Sequence, residues 1–241
     1  MSLKRTIWLA LHRALRGNRF RANGVEVLVP PSVDQEVRYL LLRGRPYERA
    51  EALLARKGLA RGMHVLELGG SLGVISAVVR SVIGPEARHV IVEANADLAA
   101  VCSVNAAHGA VAGASTVLRG AVDYSGAATV TFDFGHNAHT GHVDPNAKHG
   151  LAVPTLTATA AAESLPAGPI ALVCDIEGAE YPMVMQDAAL LARLSCVVME
   201  IHPPRYAEMG GSTEALLAQF AAAGLVLQEQ VDDVILLRRE A

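Results

Sequence analysis

Val65-Leu66-Glu67-Leu68-Gly69-Gly70-Ser71-Leu72-Gly73 is the stretch on which the reading of this chain turns. An apolar run from Met63 to Leu68 ends in a glycine pair. Val74 to Ile83 then repeats with helical spacing until Gly84-Pro85 stops it. A buried strand therefore passes through a tight turn into a helix. In open α/β sheets ligands bind outside the carboxyl ends of the strands, where such a turn sits. Small residues let the backbone approach a ligand, and the first turn of the helix offers free N–H groups.

Spacing separates the ligand classes that use such a turn. A dinucleotide fingerprint needs G-x-G-x-x-G. Counted from Gly69 the third position is Ser71 and the sixth is Val74, and counting from Gly70 fails as well. The stretch reads instead E-x-G-x-x-x-G. Its acid, Glu67, would repel phosphate and suits a cationic ligand carrying an amino group and a sulfonium, which describes S-adenosylmethionine. The next apolar run, Arg88 to Glu93, ends Ile91-Val92-Glu93, twenty positions beyond Gly73. An acid there is placed to accept the two hydroxyls of a ribose. Arg119-Gly120-Ala121, after a third strand over Ser115–Arg119, stands where an adenine would lie.

Outward from this centre, strands alternate with helices. Further strands are expected at Thr129–Phe134, Ile170–Asp175, Cys196–Ile201, Leu225–Gln230 and Val234–Arg238. Helices are expected at Val33–Leu42, Arg49–Lys57, Ala96–His108, Glu180–Arg193 and Thr213–Ala223. Apolar strands separated by helices predict an α/β fold, a doubly wound and mostly parallel Rossmann-like sheet covered on both faces. Val231-Asp232-Asp233 is too short for a crossover, so the last two strands form a C-terminal antiparallel hairpin. Residues 1–45 read as an N-terminal helical extension or lid, and residues 46–241 as one domain.

Composition bounds the rest. Of 241 residues, 51% are hydrophobic and 19% charged, enough apolar material for a sizeable core. A net charge of −3 argues against a general nucleic-acid binder. Cys102, Cys174 and Cys196 lie in apolar stretches without a CxxC pair, as in a reducing, cytoplasmic compartment. No apolar run reaches the length of a transmembrane segment. Lys4, Arg5, Arg13, Arg16, Arg19 and Arg21 precede the first acid, Glu26, while Ile7, Trp8, Leu11, Ala14 and Leu15 share a helical face. That basic amphipathic helix either lies over the domain or serves as a lid or membrane-surface contact.

Three blocks resemble the FkbM family of class I S-adenosylmethionine-dependent methyltransferases. They are Tyr47-Glu48 with Val65 to Gly73; Val90-Ile91-Val92-Glu93-Ala94-Asn95 with Asn105; and Asp175-Ile176-Glu177-Gly178-Ala179-Glu180 with Glu200-Ile201-His202. The resemblance covers about residues 46–203. The family commonly has Asp where Glu67 stands and Pro where Ala94 stands. The resemblance implies a seven-stranded methyltransferase sheet, with Tyr47, Ala94, Asp175 and Glu177 joining Glu67, Gly69, Gly70, Ser71, Gly73, Glu93, Arg119 and Gly120 around the cofactor. It also implies O-methylation of a small-molecule acceptor such as a sugar, antibiotic or other secondary metabolite. The alternatives are N-methyl or other group transfer with the same cofactor, or a catalytically silent binding protein. A nucleic-acid methyltransferase is disfavoured because Asp175-Ile176-Glu177-Gly178 is acidic where N-P-P-Y would hold a flipped base. A nicotinamide-dependent oxidoreductase is disfavoured by the glycine spacing.

An alkyl hydroxyl needs a base or a metal to become a nucleophile. Asp175, Glu200 and His202, from loops at one sheet edge, are candidates for base, orienter or a two-carboxylate-plus-His site for a divalent metal. Glu177 and Glu180 have a plainer reading, as carboxylates favouring the first turn of the following helix. His136, His139, His142 and His149 cluster with Asp133 and Asp144. That stretch reads as a solvated lid, as a source of a catalytic base (His139, His142), or as metal ligands. The acceptor and the oligomeric state have no sequence signal.

Overall fold

The computed structural model describes residues 3–32, 35–133, 142–143 and 150–240. Helix α1 (Leu3–Arg16) leads into a hairpin of β1 (Arg19–Ala22) and β2 (Val25–Leu28), then helix α2 (Gln35–Leu42). Helix α3 (Arg49–Gly58) precedes the alternating run: β3 (Val65–Leu68), α4 (Val74–Ile83), β4 (His89–Glu93), α5 (Ala96–Ala107) and β5 (Ser115–Arg119). An inserted unit follows, with β6 (Ala121–Val122), β7 (Thr129–Asp133), β8 (His142–Val143), β9 (Leu151–Leu156) and the short α6 (Ala158–Ala161). The chain then forms β10 (Ile170–Cys174), α7 (Glu180–Gln186), α8 (Ala188–Arg193), β11 (Leu194–Glu200) and α9 (Pro203–Glu208). It ends in α10 (Thr213–Ala222), β12 (Leu225–Val231) and β13 (Val234–Arg239).

The main sheet has seven strands in the order β12-β13-β11-β10-β3-β4-β5. β11, β10, β3, β4 and β5 run parallel, and β13 is antiparallel to both β11 and β12. This is the mostly parallel α/β sheet with a C-terminal hairpin that the alternation predicts. β3, β4 and β10 are buried at every position, because helices cover both faces. One core, with Phe220, Met183 and Leu172, packs α7, α8 and α10 on one face. The other, with Leu54, Val79 and Val198, packs α3 and α4 opposite.

Four features differ from expectation. Thr129–Phe134 is read as a strand of the main sheet, but β7, its described part, lies outside that sheet and pairs with β9 in a four-stranded sheet ordered β6-β9-β7-β8. The N-terminal stretch is not helical throughout. Asn23 and Gly24, both at positive φ, turn the β1–β2 hairpin, and Phe20, Ala22 and Val27 bury its inner face. The helix expected over Glu180–Arg193 divides at Asp187, whose carboxylate leaves helical register to cap α8. It accepts from the Leu190 N–H (3.0 Å), the Thr159 N–H (3.0 Å) and the Tyr124 hydroxyl (2.7 Å). Finally, the stretch after His202, where the pattern predicts no helix, forms α9, with Pro203 and Pro204 in its first turn, where a proline's missing N–H costs nothing.

Candidate active site

A cavity of about 650 Å³ opens at the carboxyl ends of β3, β4 and β10. Gly69, Ser71, Glu93 and Ala94 form one side and Gly120, Ala121, Tyr124 and Phe132 another. Glu48, Asp175, Glu177 and Arg205 close it. Among the described residues five non-glycine residues adopt positive φ, and Glu48, Ser71 and Glu177 are three of them. Strained backbone gathered at one cavity is the usual mark of a working site.

The glycine turn is built by close approach within the protein. A Cβ on Gly69 would stand 1.7 Å from the Asp175 carbonyl oxygen, one on Gly70 2.5 Å from Ile91, and one on Gly73 2.8 Å from the Cα of Cys102. These residues let β3 and β10 diverge tightly and α4 seat against α5. A Cβ on Gly120 would likewise meet Leu156 at 2.4 Å. Glu67 is buried and does not face the large cavity. Its two oxygens accept from the Ser76 hydroxyl (2.6 Å) and bond the His89 ring nitrogen Nε2 (2.7 Å). It borders a separate void of about 10 Å³, which Glu48, Glu51 and Asp175 also line.

Glu93 does face the cavity. Its carboxylate accepts the Ser71 N–H and the Asn95 N–H, each at 2.7 Å, so strand, turn and helix start hold it in one orientation. Burial raises its pKa while those N–H groups oppose the rise. Arg119 ends β5 exposed and outside the cavity lining, whereas Gly120 lies in the wall. Tyr47 stands beside Glu48 and Ser71, and its hydroxyl is pushed well above its ordinary pKa by burial and by the Glu48 and Glu51 charges.

Opposite Glu93 the structure gathers acids. His202 Nε2 lies 3.7 Å from Asp175 and 3.6 Å from Glu177, and its Nδ1 lies 3.3 Å from Glu180. Oxygens of Glu51, Asp175 and Glu200 lie within 4.8 Å of one another, as do ligand atoms of Asp175, Glu177 and His202. The structure thus brings Asp175, Glu177, Glu200 and His202 together. It adds Glu48 and Glu51, one turn apart at the start of α3 and absent from the sequence reading of the site. Glu48 is the left-handed N-cap of α3 and Glu51 lies in its first turn, so both reach the site through the packing of α3 against the sheet and no local pattern marks them. Among the described residues no group donates a hydrogen bond to the Glu51 carboxylate, although it is 5% exposed.

Burial and mutual repulsion raise the carboxyls: Glu48 to about 8, and Asp175 to about 8. Glu51 rises well above the usual range and Glu200 rises too. Burial works to lower the His202 pKa, but Glu180, Asp175 and Glu177 together lift it to about 9. Glu180 is fully buried and its oxygens are taken. One accepts the Ile176 N–H (2.7 Å); the other accepts the Gly178 N–H (2.9 Å) and the Tyr206 hydroxyl (3.2 Å). It clamps the loop between Asp175 and α7, rather than the helical turn that follows it. His136, His139 and His149 lie outside the described residues. The backbone of His142 pairs with Asp133 in the small sheet.

No family model and no curated protein matches the chain. Solved structures do. A TehB-like SAM-dependent methyltransferase from Corynebacterium glutamicum is 13% identical and covers 86% of this chain and 95% of its own, at a TM-score of 0.47. A methyltransferase from Pyrococcus furiosus is 10% identical over 99% of this chain and 98% of its own, at 0.46. Aeropyrum pernix fibrillarin, with natively bound S-adenosyl-L-methionine, is 17% identical over 78% and 72%, at 0.43. At such identities and scores the site's chemistry has to be read from its own residues.

Proposed function

We propose that the chain is an S-adenosylmethionine-dependent methyltransferase of the FkbM kind, acting in the cytoplasm on a hydroxyl of a small molecule. One observation carries the reading. The cavity that ends in the ribose-placed acid Glu93 is lined across from it by Glu48, Asp175 and Glu177, with Glu51 and Glu200 behind. Partly buried carboxylates gathered without matching cations are costly; among them stands one positive charge, that of His202, while Arg205 at the cavity edge pairs with Glu208. A ligand that carries an ammonium and a sulfonium removes that cost. A dinucleotide or a nucleic-acid backbone would add to it, which favours a small acceptor over RNA or DNA.

The residues divide the work as follows. Glu93, with one lone pair of each oxygen spent on the Ser71 and Asn95 N–H groups, has capacity left for two ribose hydroxyls. Leu98, Phe132 and the backbone at Gly120-Ala121 offer an apolar slot for the base. Glu48 and Asp175 face the cavity as acceptors for the ammonium. Bound there, the cofactor supplies a methyl group on an activated sulfur. The protein then aligns the acceptor oxygen and removes its proton. With a pKa of about 9 the imidazole of His202 is protonated at neutral pH and has no lone pair to offer; the cationic cofactor favours the ionised form of the acids beside it, and the Asp175 carboxylate then takes the acceptor's proton with the His202 imidazolium next to it. The Glu51–Asp175–Glu200 group is also the place where a divalent metal would be tested.

Calorimetry and mass spectrometry test the proposal. The expected result is binding of S-adenosylhomocysteine with no binding of NAD, and a methyl-mass gain on a hydroxylated small molecule that Asp175→Asn removes. Binding of NAD alone, or methyl transfer that is undiminished in Asp175→Asn, overturns it. Loss of transfer in EDTA, restored by Mg²⁺, would add a metal to the mechanism.

A further inference from the structure

Helix α1 is amphipathic, yet it is mounted with its apolar side outward. Toward the body it presents Leu9, which is buried, together with Arg5 and His12. Arg5 pairs with Glu36 (2.9 Å) and lies 4.8 Å over the Tyr39 ring. His12 stacks on Phe20 (4.4 Å) and its Nε2 bonds the Arg19 carbonyl (2.8 Å). On the other side, Ile7 is 58% exposed, Trp8 55%, Leu11 48% and Leu15 75%. Spaced by three, four and seven or eight, these four form one stripe along the helix. A water-soluble surface rarely concentrates that much aliphatic and indole surface in one place.

The charge of the segment that carries the stripe indicates what covers it: Lys4 shares the stripe's face, and further cations stand on the rest of α1 and on β1. The first 49 residues hold ten Lys and Arg against four Asp and Glu, in a chain whose net charge is −3. Lys4, Arg13, Arg16 and Arg21 are exposed, and among the described residues none of them has an acid within ion-pair distance. A second copy of this chain would set these cations against one another. An RNA would satisfy the cations and leave the indole and leucines in water. An anionic lipid surface satisfies both: the stripe enters the boundary between headgroups and acyl chains, and the cations meet the headgroups. An indole is well suited to that depth, apolar in body with one N–H at its rim.

We propose that α1 is an interfacial helix that docks the protein on anionic membranes, with Ile7, Trp8, Leu11 and Leu15 inserted. The inference is independent of the methyltransferase reading. It is also easy to observe, because Trp8 is the chain's single tryptophan. The full chain is mixed with vesicles of equal parts phosphatidylcholine and phosphatidylglycerol, with vesicles of phosphatidylcholine alone, and with a synthetic RNA. The expected result is a blue shift of tryptophan emission and co-sedimentation with the anionic vesicles, at least about tenfold tighter than with the neutral ones and weakened by high salt. A Leu11→Glu, Leu15→Glu variant, which keeps Trp8 and alters no packed residue, loses co-sedimentation while its thermal unfolding stays unchanged. Unshifted emission with anionic vesicles overturns the proposal, as does equal binding to both lipids or undiminished binding by the variant. A blue shift that grows with protein concentration in the absence of vesicles would assign the stripe to a second copy instead. Binding of RNA without binding of vesicles would assign the cations elsewhere.

Discussion

The acid cluster makes cofactor affinity depend on pH in a direction that can be worked out beforehand. Glu48 and Asp175 both have pKa values of about 8 without a bound cation, raised by burial and by neighbouring acids. A cationic ligand must find at least one of them ionised. A group of pKa 8 is ~1% ionised at pH 6.0 and ~24% at pH 7.5. Affinity for S-adenosylmethionine therefore rises about 24-fold over that interval if one proton has to leave, roughly 1.9 kcal/mol. It rises several hundredfold, on the order of 4 kcal/mol, if both leave. His202, at about 9, stays charged throughout and adds no slope of its own. Titration calorimetry in two buffers of different ionisation enthalpy would measure both the slope and the protons released. 5′-Methylthioadenosine, which has the nucleoside but neither cation, should show a flat profile. Glu48→Gln should flatten the slope for the full cofactor without changing the nucleoside's affinity. An S-adenosylmethionine affinity that does not change between pH 6.0 and 7.5, or a methylthioadenosine profile equally steep, would refute the reasoning.

The same carboxyls bind protons in the folded state that they release when unfolded, where Glu and Asp titrate near 4. Stability of the free protein thus falls as pH rises from about 4 through 8, and His202 adds to the fall up to about 9. Melting temperatures at pH 6 and pH 8.5 measure this, and saturating S-adenosylmethionine should raise the second value more than the first. Gly69→Ala drives a Cβ against the Asp175 carbonyl at a positive-φ position, so a loss of roughly 2–4 kcal/mol is expected by denaturant unfolding. Glu180→Ala strands the Ile176 and Gly178 N–H groups and should lower kcat more than it raises KM, since it displaces Asp175 and His202 rather than the nucleoside pocket. An unchanged kcat would show that the loop holds itself.

The sheet was readable because its signals are local and repeated. Each of β3, β4 and β10 is an apolar run that ends at a glycine or an acid, and each is followed by a helical period. The inserted sheet was not readable for the opposite reason. β9, Leu151–Leu156, contains Pro154 and is buried only at Val153 among its six residues, so its pairing with β7 rests on a partner about twenty residues away. Asn23-Gly24 is a local hairpin signal, and it turns the hairpin between α1 and α2. At the site, Glu93 and Asp175 stand at the cavity where strand ends place them. Glu67 shows the limit of motif reading. An acid two residues before the glycine points inward along a strand, and here its oxygens are consumed by Ser76 and His89. Glu48 and Glu51 escaped because their proximity to Asp175 and Glu200 is tertiary. Nothing in a single sequence joins α3 to β11.

Asp187 merits a last comparison with a rivet through two plates. One plate is the cavity wall: Tyr124 follows β6, and its hydroxyl both donates to Asp187 and accepts the Ala158 N–H (3.0 Å). The other is the α7–α8 joint, which Asp187 caps through the Leu190 N–H. Fastened at that end, the cavity wall at Tyr124 and the α7–α8 joint are tied through one carboxylate, so a shift of either pulls on the other.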